Sequence, residues 1–66
     1  MQTLTPQQQR VYDTIAKHQQ EYGFTPSLRA IGDMIGISQF TVAVHMRKII
    51  EKERARRVNT RHIKLM

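Results

Sequence analysis

The sequence predicts a small, mostly α-helical domain with a short β hairpin at its carboxyl end. Three observations support this fold class. Three segments have apolar residues at helical spacing, and each follows a residue of the type that caps helix N-termini. Glycines stand where the first two segments should end. Residues 54–65 instead contain two short runs typical of paired strands.

The chain has 66 residues, enough for one small domain over residues 1–66. It has no cysteine, so neither disulfides nor thiolate metal sites can form. The histidines, His18, His45 and His62, lack the spacing of metal ligands, and we expect no metal or other cofactor. Because no apolar run or leader pattern is present, we expect a cytoplasmic, nucleoid-associated protein without a membrane partner.

The first predicted helix covers about residues 6–22. Thr5 is its N-cap, Pro6 suits its first position, and Gln8 can return a hydrogen bond to the cap. Gly23 is a natural left-handed stop. The residues expected to pack in the core from this helix are Val11, Ile15, Tyr12 and Tyr22.

The second predicted helix covers about residues 28–35, with Ser27 as its cap and Gly36 as its stop. Gly32 lies inside it and costs about 1 kcal/mol relative to alanine. This costly position predicts that a neighbouring backbone comes close.

The third helix covers about residues 38–52, and the side chains it should place in the core are Val42, Met46 and Ile49.

The opposite face of the third helix begins with uncharged side chains. The residues predicted to point outward are Ser38, Gln39, Phe40, Ala43, Val44 and Arg47. In a DNA major groove, glutamine can form paired hydrogen bonds with adenine, and apolar side chains can contact thymine methyl groups. The alternative interpretation is that Phe40 and Val44 pack in the core or in a protein interface.

Residues 54–65 allow two interpretations. In a hairpin, Ile63 and Leu65 would face the core, whereas His62 and Lys64 would face solvent. Alternatively, the third helix continues through the segment "EKERARRV", which consists mostly of good helix formers. The hairpin is the preferred interpretation.

The net charge of +6 lies entirely in the second half of the chain. Residues 34–66 contain eight Lys and Arg against two Asp and Glu, whereas residues 1–33 contain three of each. Such asymmetry predicts a polyanionic partner on one side of the fold. The basic residues that would flank the third helix are Arg54, Arg56, Arg57, Arg61 and Lys64.

The segment "TLTPQQQRVYDTIAKHQQEYGFTPSLRAIGDMIGIS", followed by "TVAVHMRKI", resembles the N-terminal DNA-binding domain of LexA-type SOS repressors. We therefore expect a bacterial or phage protein. This resemblance implies a three-helix winged helix-turn-helix that binds double-stranded DNA and regulates transcription, as a repressor or a Cro-like protein. The base-reading residues that it implies are Ser38, Gln39, Phe40, Thr41, Ala43, Val44 and Arg47. The implied phosphate contacts are Ser27, Arg29, Lys48, Arg54, Arg56, Arg57, Arg61 and Lys64.

The sequence also departs from that family. LexA repressors have acidic residues where this chain has Ala43 and Val44, so we do not expect it to target the SOS box. Its two serines, Ser27 and Ser38, both precede predicted helices, and we expect no enzymatic activity. A homodimer on DNA is one partner hypothesis. The alternative function is an interaction module that acts on a larger repressor or on RNA polymerase, and the chain is either a stand-alone protein or an excised domain.

Overall fold

The computed structural model describes residues 3–52, 54–59 and 62–65. Three helices are followed by two antiparallel strands, which form the wing. The elements are α1 (Pro6–Tyr22), α2 (Leu28–Ile35), α3 (Gln39–Glu51), β1 (Ala55–Asn59) and β2 (His62–Leu65). The predicted fold class, a mostly α-helical winged helix-turn-helix, is confirmed.

Local hydrogen bonds set the start of each helix. The Thr5 hydroxyl accepts from the Gln8 backbone N–H at 3.3 Å, and Gln8 Oε1 accepts from the Thr5 N–H at 3.1 Å. This reciprocal pair is a capping box. The hydroxyls of Ser27 and Ser38 cap α2 and α3 by accepting from the N–H three residues later. Replacing such a cap with alanine typically costs about 1 kcal/mol.

The core lies where the three helices meet, under the wing. Among the described residues, its largest fully buried side chains come two from α1, one from α2 and two from α3: Val11, Ile15, Ile31, Val42 and Ile49. Met46 of α3, Ala55 of β1 and Ile63 of β2 complete the cluster. Burying each large aliphatic side chain contributes about 1.5–3 kcal/mol. The helical spacing of these residues therefore fixes which face of each helix points inward.

The turn between α2 and α3 is tight at Gly32 and Gly36. Gly36 has a left-handed backbone (φ 76°), and its N–H and that of Ile37 both donate to the Gly32 carbonyl, at 2.8 and 3.0 Å. A Cβ atom at Gly32 would collide with the Ile37 carbonyl oxygen and lie 3.4 Å from the Ser38 carbonyl carbon. The prediction that a neighbouring backbone approaches Gly32 is confirmed.

The wing begins soon after α3 ends at Glu51. The Arg54 N–H donates to the Ile49 carbonyl at 3.0 Å, and β1 starts at the next residue, Ala55. The alternative in which the third helix continues through "EKERARRV" is therefore wrong. Burial of Ala55 and Ile63 against the helical core favours the hairpin over the intrinsic helix preference of this segment.

A hydrogen-bonded cluster centred on Thr25 attaches the wing to the segment between α1 and α2. Thr25 Oγ1 accepts from the Ile63 N–H at 3.1 Å and from Gln19 Nε2 at 3.0 Å. Gln19 Nε2 also donates to the Ile63 carbonyl at 2.6 Å, and His62 Nδ1 lies 2.9 Å from Thr25 Oγ1. The expectation that His62 faces solvent is wrong, because its half-buried ring turns toward Thr25.

Replacing Thr25 with valine should loosen the wing. The substitution keeps the shape of the side chain but leaves the Ile63 N–H and His62 Nδ1 without their partner, which costs about 1–3 kcal/mol of unfolding free energy. Urea unfolding measures this loss, and amide hydrogen exchange at Ile63 should become faster.

A matched control for this variant is Thr14→Val in α1. Among the described residues, the Thr14 hydroxyl donates to the Arg10 carbonyl alone, within the same helix. We expect its loss to change stability by less than about 0.5 kcal/mol. If Thr25→Val were as stable as Thr14→Val and kept slow exchange at Ile63, the cluster would not hold the wing.

The aromatic residues of α1 differ in burial. Tyr12 packs against the core, as expected, but Tyr22 is 63% exposed, and its assignment to the core is wrong. The buried residues of α1 end at Ile15, so Tyr22 lies two turns beyond the core. Its ring instead stands 4.7 Å from that of His18, which is 4.9 Å from the ring of Phe24.

Candidate nucleic-acid interface

The outward face of α3 is exposed along its first three turns. With 3.6 residues per turn, Phe40, Val44 and Arg47 follow one another on the side opposite the buried Val42. Phe40 is 81% exposed and Val44 53%, whereas Ala43 beside them is half-buried. The interpretation in which Phe40 and Val44 pack in the protein core is therefore wrong.

The amino end of α3 combines a cap with exposed polar groups. Ser38 Oγ accepts from the Thr41 N–H at 3.1 Å and lies 2.9 Å from Thr41 Oγ1, so both side chains help to fix the start of the helix. Gln39 is exposed, and its side chain makes no hydrogen bond to the described residues. No acidic residue lies in the first turn, so this end keeps the positive partial charge of a helix N-terminus.

The start of α2 lies beside the wing. Ser27 Oγ accepts from the Ala30 N–H at 3.0 Å, and Arg29 in the first turn of α2 is exposed. A groove of about 610 Å³ lies at this helix end, and its lining includes Ser27, Leu28 and Arg57 of β1. The fold therefore brings the predicted phosphate contacts Ser27 and Arg57 to one groove.

The wing also has basic side chains on the face opposite the one that carries Arg57. Arg56 of β1 lies directly opposite Lys64 of β2 in the antiparallel register, and both side chains are exposed. Like charges at directly opposed positions destabilise a sheet. Neither residue has an acidic partner among the described residues, and the same holds for Arg54. Arg61 lies outside the described residues.

Two lysines near the end of α3 have different surroundings. Lys48 lies 3.5 Å from Glu51 in an ion pair whose side chains are both about half exposed, a kind of pair that contributes little to stability. Lys52 Nζ donates to the Gln8 side chain at 2.7 Å and to the Thr3 carbonyl at 3.0 Å. Lys52 therefore joins the end of α3 to the start of α1, which no local pattern in the sequence indicates.

Comparison with known protein families shows to which family this fold and surface belong. Residues 1–62 match the family described as the LexA DNA binding domain. The chain belongs to this family. The match spans all three helices and reaches the first residue of β2. The resemblance stated from the sequence is thus confirmed.

Individual LexA repressors are similar to this chain. The LexA repressor of Staphylococcus epidermidis is 40% identical over 62 residues, which cover 92% of this chain and 30% of that protein. The LexA repressor of Bifidobacterium longum is 37% identical over 57 residues, covering 86% of this chain and 24% of that protein. The LexA repressor of Pseudarthrobacter chlorophenolicus is 35% identical over 49 residues, covering 74% and 20%.

The chain therefore spans about a third or less of the length of the LexA repressors that it matches. The alignment with the Staphylococcus epidermidis protein covers nearly the whole chain.

Within residues 3–52, 54–59 and 62–65, no helix is long and apolar enough to cross a membrane.

Proposed function

We propose that this LexA-family chain binds double-stranded DNA sequence-specifically and regulates transcription, as a repressor or in the manner of Cro. The recognition helix α3 reads base edges in the major groove, while the wing and the start of α2 contact phosphates. The proposed base-reading residues are Ser38, Gln39, Phe40, Thr41, Ala43, Val44 and Arg47. The proposed phosphate contacts are Ser27, Arg29, Lys48, Arg54, Arg56, Arg57, Arg61 and Lys64.

The main support is the opposed pair Arg56 and Lys64. The two cations face each other across the wing without a described acidic partner. Their mutual repulsion disfavours the folded hairpin, so an anion bound between them would stabilise it. Phosphates along a DNA strand supply such anions, and cations that contact them release condensed counterions. The basic wing therefore suits a duplex backbone.

The shape and chemistry of α3 support groove reading. A DNA major groove is about 12 Å wide and admits one α-helix. Gln39 is exposed at the first position of α3 and Arg47 lies on its outward face. Glutamine can pair with adenine, and arginine with guanine or a phosphate. The N-terminal end of α2, which has a positive partial charge and Arg29 beside it, can hold a phosphate next to the DNA major groove that α3 enters.

The small size of the domain limits how tightly a single copy can bind DNA. A single module of this kind buries only about 600–1,000 Å² of protein surface on DNA, which limits its affinity. We propose that the chain binds as a homodimer on paired half-sites, whose centres would lie about 34–36 Å apart or a multiple of that. Such pairing would double the number of base and phosphate contacts.

Selection from a randomised duplex pool at near-physiological salt tests this function. We expect enrichment of two half-sites at a fixed spacing. On the enriched duplex, log affinity should fall with log salt at a slope of about −4 to −5 per domain, because four to six phosphates are neutralised. No enrichment would contradict sequence-specific binding by this chain, and a slope shallower than about −2 on an enriched duplex would contradict the proposed phosphate contacts.

The alternative function is protein interaction with a larger repressor or with RNA polymerase. Its support is the exposed aromatic cluster at the end of α1, where Tyr22 is 63% and Phe24 57% exposed. Large apolar side chains exposed together are typical of protein interfaces. Charge reversal at Arg56 and Lys64 separates the two functions, because neither residue lines the groove that contains Phe24. It should abolish DNA binding but leave a partner-binding surface around Tyr22 intact.

A further inference from the structure

The centre of the outward face of α3 is apolar over its first two turns. Phe40 and Val44 are four residues apart, so their side chains point within about 40° of each other. They lie opposite the buried Val42, and their exposed fractions are 81% and 53%. The charged residues on the same side, Arg47 and Glu51, come later in the helix. A groove that receives the amino end of α3 therefore meets Phe40 and Val44 at its floor.

Most base-edge atoms in the major groove are hydrogen-bond donors or acceptors, and the apolar exception is the C5 methyl group of thymine. Phenylalanine and valine can neither donate nor accept a hydrogen bond. Pressed against amino or carbonyl groups, they would remove water without replacing its hydrogen bonds, which is unfavourable. Pressed against methyl groups, the same side chains gain apolar burial.

We propose that Phe40 and Val44 determine specificity by packing on the C5 methyl groups of pyrimidines, so that the half-site has thymines under the first two turns of α3. This inference rests on the proposed function. Gln39, adjacent to Phe40 in the chain, suits an adenine of one of these A·T pairs or its neighbour, since glutamine forms paired hydrogen bonds with adenine. The methyl group itself, rather than the A·T pair as a whole, is the recognised feature.

Replacing thymine with deoxyuridine tests the methyl contact directly, because it removes only the C5 methyl and leaves base pairing unchanged. The substitutions are made one position at a time in the duplex selected from the randomised pool. We expect affinity to fall about fourfold at each contacted position, and about fifteenfold when two are replaced together. Cytosine methylated at C5, placed in a C·G pair at a contacted position, should bind more tightly than unmethylated cytosine there.

Protein variants assign the effect to particular side chains. In Phe40→Ala or Val44→Ala, the ratio of thymine to deoxyuridine affinity should fall from about four to about one at the position which that residue contacts. Both side chains are more than half exposed, and circular dichroism checks that the variants remain folded. Met34→Ala, which also removes an exposed apolar side chain (51% exposed) from a helix, should keep the ratio at about four.

The outcomes distinguish this inference from the function on which it rests. If a duplex is enriched but thymine and deoxyuridine bind equally at every position, DNA binding stands and methyl recognition is overturned. Loss of affinity in Phe40→Ala without any deoxyuridine effect also overturns it, since Phe40 would then contact something other than a methyl group. If no duplex is enriched, the proposed function fails and this inference fails with it.

Discussion

Replacing Arg56 with glutamate should stabilise the wing while lowering the affinity for duplex DNA by about thirtyfold. Across the sheet, the new carboxylate would face Lys64, and exchanging a like-charge pair for an opposite pair raises the unfolding free energy by up to about 1 kcal/mol. On DNA, each phosphate contact contributes about fivefold in affinity near 0.15 M salt, and reversal both removes a contact and adds a repulsion. Urea unfolding and titration of the selected duplex measure the two effects.

Opposite changes in stability and affinity would identify the wing pair as a binding feature. The double variant Arg56→Glu/Lys64→Glu restores like charges across the sheet, so its stability should return to about that of the unmodified chain. Its affinity should fall further, to about a thousandth.

Lys17→Glu on α1 makes the same change in net charge as Arg56→Glu, on an exposed residue in the half of the chain that has no net charge. We expect it to change affinity by less than about threefold at this ionic strength. Equal losses in Lys17→Glu and Arg56→Glu would mean that overall charge, not the wing, attracts DNA.

The helices could be predicted from the sequence because their signals are local. Thr5, Ser27 and Ser38 each bind a backbone N–H three residues away, and Gly23 and Gly36 both adopt the left-handed conformation that ends a helix. Such contacts depend only on nearby residues. The spacing of apolar residues then determines which side of each helix is buried, and this is why the outward face of α3 could be predicted before its exposure was known.

The wing could not be predicted with the same precision because long-range contacts decide it. The hydrogen bonds of Thr25 with His62 and Ile63 join positions 37 and 38 residues apart, and Lys52 reaches Gln8 across 44 residues. Local preference in this segment favours a helix, and burial outweighs it.

The pairing of basic residues on the wing likewise depends on strand register. The register shifts between Arg57 and Asn59, and such an irregularity has no reliable sequence signal. The sequence therefore predicted a basic flank but not the opposition of Arg56 and Lys64. It also did not predict that Arg57 lines a different surface, the groove beside Ser27.

Replacing Gly32 with alanine should lower the unfolding free energy by about 2–3 kcal/mol. The added methyl group would collide with the backbone carbonyl of Ile37. This segment cannot shift freely, because the Ile37 N–H is bonded to the Gly32 carbonyl and the Ser38 carbonyl to the Val42 N–H, both at 3.0 Å. A domain of this size has only about 3–10 kcal/mol of stability. We expect the melting temperature to fall by roughly 10–20 °C, and α3 to lose its fixed position against α2.

Helix propensity alone predicts the opposite sign, because alanine is about 1 kcal/mol better than glycine inside a helix. A Gly32→Ala variant as stable as the unmodified chain, or more stable, would therefore contradict the close approach of the two backbones. Gly36→Ala is the matched control, since its Cβ would meet nothing within 4 Å and only its left-handed backbone (φ 76°) is unfavourable. That strain costs about 1–2 kcal/mol, so urea unfolding should rank Gly36→Ala above Gly32→Ala in stability.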